Sequence, residues 1–403
     1  MVGTSVPDIL SYGADTPVGP FGAFIKIAPD GIVTLVSKHL EMGQGNHAGL
    51  AAIVAEELDA DWSKMRYEQA PANAKLYGNA MMQGLQGTGG SSAIANSWTQ
   101  LRLAAAATRA MLAQAAAQSW NVPLAEITVK DGIVSHASGK SAGFGELLAM
   151  ASKIAPPQSP TLKDPARFTL IGTDRVRRKD SPGKVNGTAR FTQDVHLPDM
   201  LVAVVAHPPL FGAIVKSFDA TEARKIPGVV DVIQVAKGVA VVANGTYAAK
   251  LGRDALKITW DDSKAEKRGS VQILALYKDI ATGKRIDVKA QPFETKGEAG
   301  ALGGDALTVA YDFPYLAHAT MEPMNCVAQV DGHRCKLTFG SQVQTLDQMN
   351  SAFIVLSLPG QVEIETLPAG GSFGRRANPS SDYVVECVEI AKKLGNGRAA
   401  TRR

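Results

Sequence analysis

The chain has little cysteine, and its three cysteines follow no metal-binding pattern. Cys326, Cys335 and Cys387 are scattered through 403 residues, and none belongs to a C-x-x-C pair. Structural zinc sites and iron–sulfur clusters use cysteine-rich ligand sets at recognisable spacings, so neither is predicted within this chain. The same scarcity argues against a disulfide framework, and each thiol is expected to be a small, buried apolar side chain.

Long apolar runs, strong net charge and common nucleotide-binding signatures are also missing. No stretch reaches the roughly 18 apolar residues that a membrane-spanning helix needs. The formal net charge of +4 is small, and no basic stretch is interleaved with aromatic residues, so no nucleic-acid partner is predicted. No Gly-Lys-Ser/Thr follows a glycine-rich loop, which argues against a P-loop nucleoside triphosphatase.

Three glycine-rich segments are the most informative features that are present. The run from Gly370 to Arg376 reads Gly-Gly-Ser-Phe-Gly-Arg-Arg, the run from Glu41 to His47 contains Gly-Gln-Gly, and Gln83 to Ser92 precedes an Ala-rich helical pattern. Glycine permits positive φ and close backbone approach, and exposed N–H groups on such loops bind anions. A helix N-terminus behind a glycine-rich turn favours phosphate. The alternative is a set of tight turns without a ligand.

Proline and hydrophobic patterning divide the chain into four segments. Residues 20–154 read as an α/β unit, and the prolines within residues 155–172 predict a linker between domains. Residues 173–297 carry short strands separated by helical pieces. Residues 298–403 contain further strands, the first of them predicted at Val309 to Tyr311. We therefore predict a multi-domain α+β protein.

The last segment adds two polar features. His318 and Glu322 lie within His-Ala-Thr-Met-Glu-Pro, and Gln342 follows a predicted strand. Glutamine offers both a donor and an acceptor, which suits an oxo group or a heterocycle. The alternatives are a satisfied structural histidine at His318 and, at Glu322, a buried carboxylate bonded to backbone N–H groups. No catalytic triad can be assembled from the sequence.

Together these segments resemble the molybdenum-cofactor-binding subunit of the xanthine dehydrogenase/aldehyde oxidase family. Within that family, the order of the blocks is most similar to the isoquinoline 1-oxidoreductase β-subunit type. The matching stretches run from Lys38 to Asp61, Gln86 to Ser92, Arg177 to Asp231, Tyr315 to Asn325 and Gly370 to Arg376.

The resemblance implies a bound molybdenum-molybdopterin cytosine dinucleotide, in which the metal takes no side-chain ligand. It implies that Gln342 hydrogen-bonds an oxo group and that the loop after Gly370 approaches the metal. The cofactor-binding residues carried over from the family are Gly43, Gln44, Gly45, Thr88, Gly89, Gly90, Ser91, Gln342, Gly371, Ser372, Phe373, Gly374 and Arg375.

The resemblance also implies the reaction and its partners. Residues 173–297 would form an α/β hammerhead-like domain between two parts of a molybdopterin-binding region. The chemistry would be hydroxylation of an aldehyde or an N-heterocycle with water as the oxygen source. Since this chain lacks the necessary cysteines, electrons would pass to iron–sulfur clusters in a separate small [2Fe-2S] subunit.

The chain departs from the pattern of most of the family in three respects: its Glu-Met-Gly-Gln-Gly unit precedes the hammerhead-like segment, Ser372 stands where glycine is usual, and the region expected to carry the catalytic glutamate is absent. The basic residues after Gly397 also end the pattern abruptly. We therefore expect a C-terminally truncated copy, with no catalytic residue in this chain and the base glutamate in the missing region. Family members often carry an export signal, so the compartment is expected to be periplasmic if such a signal was removed and cytoplasmic otherwise. The alternatives are an inactive remnant without cofactor and a plain nucleotide-binding protein.

Overall fold

The first part of the chain folds around two packed helices. The computed structural model describes residues 19–285, 287, 296–298, 304–305, 307, 309–395 and 397–402, in a mixed α/β fold with several sheets. The elements up to residue 151 are β1 (Ile25–Ile27), β2 (Val33–Ser37), α1 (Asn46–Leu58), β3 (Met65–Gln69), α2 (Ala74–Tyr77), α3 (Ser92–Trp120), β4 (Ile127–Lys130), β5 (Ile133–His136), β6 (Ser141–Gly143) and α4 (Phe144–Ala151).

Small side chains let α1 and α3 pack closely in this first core. Ala51 and Ala55 of α1 and Ala105 and Ala116 of α3 are completely buried in one cluster. Alanine favours the helix and allows a short distance between helix axes. Strands β1, β2 and β3 form a sheet in which β2 and β3 are parallel, and β4, β5 and β6 form a separate antiparallel sheet. The expected α/β unit and its long Ala-rich helix are therefore present.

The rest of the chain builds a seven-stranded sheet in the order β14-β13-β12-β15-β7-β10-β9. Its hydrophobic core lies between one face of this sheet and the last two helices, α9 and α10. The remaining elements are α5 (Ser181–Asn186), β7 (Leu201–Ala206), β8 (Ile214–Asp219), α6 (Thr221–Arg224), β9 (Val229–Val235), β10 (Gly238–Ala243), α7 (Thr246–Asp254), β11 (Lys257–Asp261), α8 (Ser270–Ala281), β12 (Cys326–Asp331), β13 (Arg334–Phe339), α9 (Gln344–Val355), β14 (Val362–Thr366), α10 (Asp382–Leu394) and β15 (Ala399–Arg402).

This sheet contains strands from both the predicted middle segment and the predicted last segment. The bridge between them is β15, which pairs antiparallel with β12 and parallel with β7. Of the residues after Gly397, Ala399–Arg402 therefore form a strand in which Ala399, Ala400 and Thr401 are buried. The division into domains near residue 297 and the hammerhead-like form of residues 173–297 stay predictions.

One predicted strand is wrong. The residues from Val309 to Tyr311 have no regular secondary structure, and the two named side chains are 54% and 76% exposed. A strand needs a neighbouring strand to satisfy its N–H and C=O groups, and within the described ranges none lies beside this run. Among those residues, no helix is long and apolar enough to cross a bilayer.

The proline-rich linker is fastened to helix α1. The Glu56 carboxylate accepts hydrogen bonds from the N–H groups of Leu170 at 2.6 Å and Ile171 at 3.1 Å, and from Lys163 Nζ at 3.0 Å. Glu57 accepts from the backbone N–H of Lys163 at 2.6 Å. Two buried carboxylates of one helix therefore hold the end of the linker in place.

Candidate functional site

Two of the glycine-rich segments meet at Gln342, between β13 and α9. The Gln342 carbonyl accepts a hydrogen bond from Thr88 N at 2.9 Å, and Gln342 Nε2 donates to the Thr88 carbonyl at 2.7 Å. Gln342 Oε1 accepts from the hydroxyl of Ser372. Because a side-chain amide nitrogen carries two N–H groups, one donor of Gln342 is left for a ligand.

The third segment, residues 38–47, reaches the same place through its backbone. Leu40 N donates to Thr88 Oγ1 at 2.8 Å, and the Glu41 carbonyl accepts from Ala369 N at 2.9 Å. The structure therefore brings together all three glycine-rich segments, which are far apart in the sequence. Their contact with a cofactor stays a prediction.

The loop after β14 offers a row of free backbone donors. In the part of the chain that the structure describes, the N–H groups of residues 371–374 donate no hydrogen bond to the protein. Gly371, Phe373 and Gly374 have positive φ angles of 100°, 52° and 90°. Successive N–H groups in such conformations form a concave nest for an anion or an electronegative group.

The N-terminus of α3 offers a second row of donors. The N–H groups of Gly89, Gly90 and Ser91 make no hydrogen bond to the described protein, and the Ser91 side chain does not cap the helix. A Cβ added to Gly90 would meet nothing within 4 Å, so this turn is open. The partial positive charge at the start of a 29-residue helix also favours an anion here.

The loop at residues 41–47 is different, because most of its backbone donors are already in use. The Glu41 carboxylate accepts from Gly43 N at 2.9 Å, Gly45 N at 3.0 Å and His47 N at 3.2 Å. The Gln44 amide accepts from Met42 N and donates to the Leu40 carbonyl. A side-chain carboxylate therefore occupies the anion nest formed by the N–H groups of Gly43, Gly45 and His47.

The two arginines of the last glycine-rich loop have different surroundings. Arg375, which sequence reasoning selected, donates to both carboxylate oxygens of Asp382 at 2.9 and 2.8 Å, and this pair is partly exposed. Arg376 is buried, and its Nη2 donates to Glu322 Oε2 at 2.9 Å. Phe373 is 75% exposed beside them. Arg375 stays a predicted cofactor contact, and its guanidinium is already paired.

The sequence did not indicate that Arg376 and Glu322 pair with each other and contact the last glycine-rich loop. The alternative interpretation of Glu322, a buried carboxylate bonded to backbone N–H groups, is confirmed, because Gly370 N donates to it at 2.8 Å. The alternative for His318, a satisfied structural histidine, is wrong, because this residue is exposed. The sequence signals were the blocks that contain these residues: His-Ala-Thr-Met-Glu-Pro for Glu322 and the last glycine-rich run for Arg376.

Two basic side chains with lowered pKa values lie at the strand end beside Thr88. Burial, together with the charge of Lys38, lowers the pKa of His39 to about 4, so this imidazole is neutral at pH 7. Burial also lowers the pKa of Lys38 to about 8, and Lys38 Nζ donates to Asn96 Oδ1 at 2.5 Å and Gln100 Oε1 at 2.7 Å. The neutral His39 ring contacts the Thr88 hydroxyl, at 3.4 Å.

A cavity of about 860 Å³ lies away from this site, beside α1 and the linker. Its charged walls include Glu56, Arg109 and Lys163, which are paired with one another or with Glu57 and Asp59. The free donors of the molecule's glycine-rich loops are elsewhere, so this cavity is not the candidate site.

The residues at the loop site fit an anionic dinucleotide cofactor such as a molybdopterin dinucleotide. Two rows of unpartnered N–H groups and a helix N-terminus suit a pyrophosphate and electronegative ligand atoms. Among the residues described, no cluster of His, Cys, Asp or Glu is arranged to bind a metal.

Comparisons with known proteins agree with this class of site. Residues 7–204 match the family described as a molybdopterin cofactor-binding domain. The chain is 31% identical to the β-subunit of isoquinoline 1-oxidoreductase from Brevundimonas diminuta, over 92% of this chain and 53% of that protein. It is 32% identical to a membrane-bound aldehyde dehydrogenase [pyrroloquinoline-quinone] of Gluconacetobacter polyoxogenes, over 92% and 48%. It is 28% identical to a nicotinate dehydrogenase subunit of Pseudomonas putida, over 92% and 31%.

Residues 7–204 belong to the family of molybdopterin cofactor-binding domains, and the chain as a whole is similar to the isoquinoline 1-oxidoreductase β-subunit, as the resemblance implied. It spans about half, or less, of the length of the curated relatives that it matches.

Proposed function

We propose that this chain is the molybdopterin-binding subunit of a molybdenum hydroxylase that oxidises an aldehyde or an N-heterocycle, with water as the oxygen source. The observation that carries the proposal is the meeting of two free N–H rows, at residues 89–91 and 371–374, around Gln342. The names of the relatives, which refer to isoquinoline, an aldehyde and nicotinate, support the substrate class.

Each part of the site has a distinct task in this proposal. The N–H groups of residues 89–91 and the α3 terminus hold the pyrophosphate of molybdopterin cytosine dinucleotide. The free N–H of Gln342 and those of residues 371–374 hold the end that carries the metal. When bound, this cofactor supplies the two-electron oxidation of the substrate, and the protein orients both.

Neither buried glutamate of the site is assigned as the general base. Glu41 is 2% exposed and accepts from three backbone N–H groups, and Arg178 Nη2 lies 3.2 Å from its Oε1. Glu322 is likewise occupied by hydrogen-bond donors. A general base must reach the proton that it takes. The proposal therefore assigns the role of general base to neither Glu41 nor Glu322.

The electron acceptor in this proposal is a small [2Fe-2S] subunit. Each of the three cysteines is buried, and a cluster needs four protein ligands, so this chain does not provide one. Residues 173–297 serve as a hammerhead-like scaffold. Cell fractionation decides whether the assembly is periplasmic or cytoplasmic.

The test is the cofactor content of the chain purified with its iron–sulfur partner from a host that makes the cofactor. We expect near-stoichiometric molybdenum and a cytidine nucleotide released by acid. Pyrroloquinoline quinone without molybdenum would contradict the proposal and favour the cofactor that names the second relative. Absence of both would leave a non-catalytic remnant.

A matched pair of variants locates the binding site in the same experiment. Gly90 and Gly172 both have positive φ, of 58° and 83°, and open space around a built Cβ. Valine at either position therefore strains the backbone similarly. We expect Gly90→Val to lose the cofactor, because its side chain covers a donor row, and Gly172→Val to retain it. If both variants retained the cofactor equally, the N-terminus of α3 would not be part of the binding site.

A further inference from the structure

A buried ion pair lies directly under the glycine loop at residues 370–376. The Glu322 and Arg376 side chains are 8% and 0% exposed, and Arg376 Nη2 lies 2.9 Å from Glu322 Oε2. A buried charge is tolerated when it is paired and its other hydrogen-bonding groups are engaged. Two of the groups that the pair engages, Gly370 N and the Gly371 carbonyl, belong to the loop, whereas Arg376 Nη1 has no partner among the described residues.

Glu322 fixes the start of the loop. Its Oε2 accepts from Gly370 N at 2.8 Å, and its own backbone N–H donates to the Gly370 carbonyl at 3.1 Å. A Cβ added to Gly370 would lie 2.5 Å from Glu322 Cβ, so only glycine permits this approach. The second oxygen, Oε1, accepts from Asn325 Nδ2 at 3.1 Å.

Arg376 fixes the rest of the loop. Its Nε donates to the Gly371 carbonyl at 2.8 Å, and its backbone N–H donates to Ser372 Oγ at 3.2 Å. The Ser372 hydroxyl in turn donates to Gln342, which is the residue that joins the loops. The pair thus engages the Gly370 N–H and the Gly371 carbonyl, while the N–H groups of residues 371–374 donate to no group in the described part of the protein.

We infer that Glu322 and Arg376 are positioning residues that hold the glycine loop with its N–H row turned toward the cofactor. The inference rests on the proposed function and deepens it. It assigns the conformation of the glycine loop at residues 370–376 to a buried ion pair, and neither residue of the pair is among the cofactor-binding residues that the family resemblance implies. Neither side chain has to touch the cofactor or the substrate for this role.

The experiment compares Glu322→Gln with Glu57→Gln in the complex of the chain with its partner. Glu57 is a matched control: it is also buried, is paired with Arg102 at 2.8 Å and accepts a backbone N–H, but it contacts no glycine loop. The glutamine at 322 keeps the side-chain size but turns an N–H group toward Gly370 N or Arg376. Molybdenum per protein, the melting temperature and amide hydrogen exchange of residues 369–377 are measured for each.

We expect Glu322→Gln to lose cofactor by about tenfold or more, the change that matches the loss of one hydrogen bond to a charged group. We expect amide hydrogen exchange at residues 369–377 to be faster in Glu322→Gln than in the parent and unchanged in Glu57→Gln. This difference should hold even if Glu57→Gln has the same melting temperature as Glu322→Gln or a lower one. Arg376→Lys keeps the charge but not the Nε contact, and we expect it to fall between the two.

Unchanged exchange and cofactor content in both loop variants would overturn the inference, and so would equal losses in the Glu57 control. If Glu322→Gln fails to fold, Arg376→Lys carries the comparison. If the parent chain holds no molybdenum, the proposed function fails, while the exchange of residues 369–377 still decides whether the pair positions the loop.

Discussion

Asp347 is a buried carboxyl group in the first turn of α9. The Ser341 hydroxyl donates to its Oδ2 at 2.6 Å. Burial raises the pKa of Asp347 to about 7, and the hydrogen bonds from Ser341 and Ser381 offset this only in part. Below about pH 7 the folded protein therefore favours the protonated form of Asp347, whereas in the unfolded chain this carboxyl group has its ordinary pKa of 3.8.

The contribution of Asp347 to the free energy of unfolding should consequently fall as the pH rises from about 4 to about 7 and then level off. We predict that Asp347→Asn removes this fall and is more stable than the parent above pH 7, by up to about 4 kcal/mol. Denaturant unfolding at pH 4, 5.5 and 7.5 measures this. The exposed Asp331→Asn is the control, and identical pH profiles for Asp347→Asn and the parent would contradict the prediction.

Helix α1 and the linker are joined by the Glu56 carboxylate, whose pKa is shifted in the opposite direction to that of Asp347. Burial raises the pKa of Glu56, but hydrogen bonds from Leu170, Ile171 and Lys163 together outweigh burial and hold the pKa below its ordinary value. The stabilisation from the ionised group is therefore complete above the ordinary value of about 4.5 and is lost as the pH falls below it.

We predict that Glu56→Gln lowers the free energy of unfolding at pH 7 by about 1.5–3 kcal/mol, because a charged acceptor of several N–H groups is removed. The variant should also raise hydrogen exchange at residues 163–171 and reduce the loss of stability in acid. Glu222→Gln, which alters an exposed pair with Lys225, is the comparison. A linker that stays protected in Glu56→Gln would show that the prolines alone hold it.

The elements that sequence reasoning predicted well have a strong local pattern. The Ala-rich run forms helix α3, and the apolar runs of the middle segment form strands such as β7 and β10, as expected. Helix propensity and strand hydrophobicity are properties of a short stretch of sequence, so they can be recognised without knowing the tertiary contacts. Strand β15 was not expected, because Ala-Ala-Thr-Arg has little strand signal and is buried only through its neighbours. Likewise, no spacing in the sequence shows that Glu41 fills the nest of its own loop, since that depends on side-chain direction.

The whole molecule depends on β15 for the continuity of its largest sheet. Ala400 is fully buried, and its backbone is paired with Ala328 of β12 and Leu201 of β7. We predict that Ala400→Asp destabilises the protein by about 3 kcal/mol or more, because it buries an unpaired carboxylate. Arg398→Asp, at an exposed position just before the strand, should change stability little. Equal unfolding midpoints for both variants would contradict this role of the strand.

The position of β15 also orders events during synthesis of the chain. Strands β7, β9 and β10 leave the ribosome long before β12, β13 and β14. Among the described strands of this sheet, only β15, residues 399–402, joins the first group to the second. The N-terminal core around α1 and α3 is complete much earlier. The nascent chain therefore carries two open strand edges until β15 emerges, and during that interval it is exposed to mispairing with other chains and to capture by chaperones.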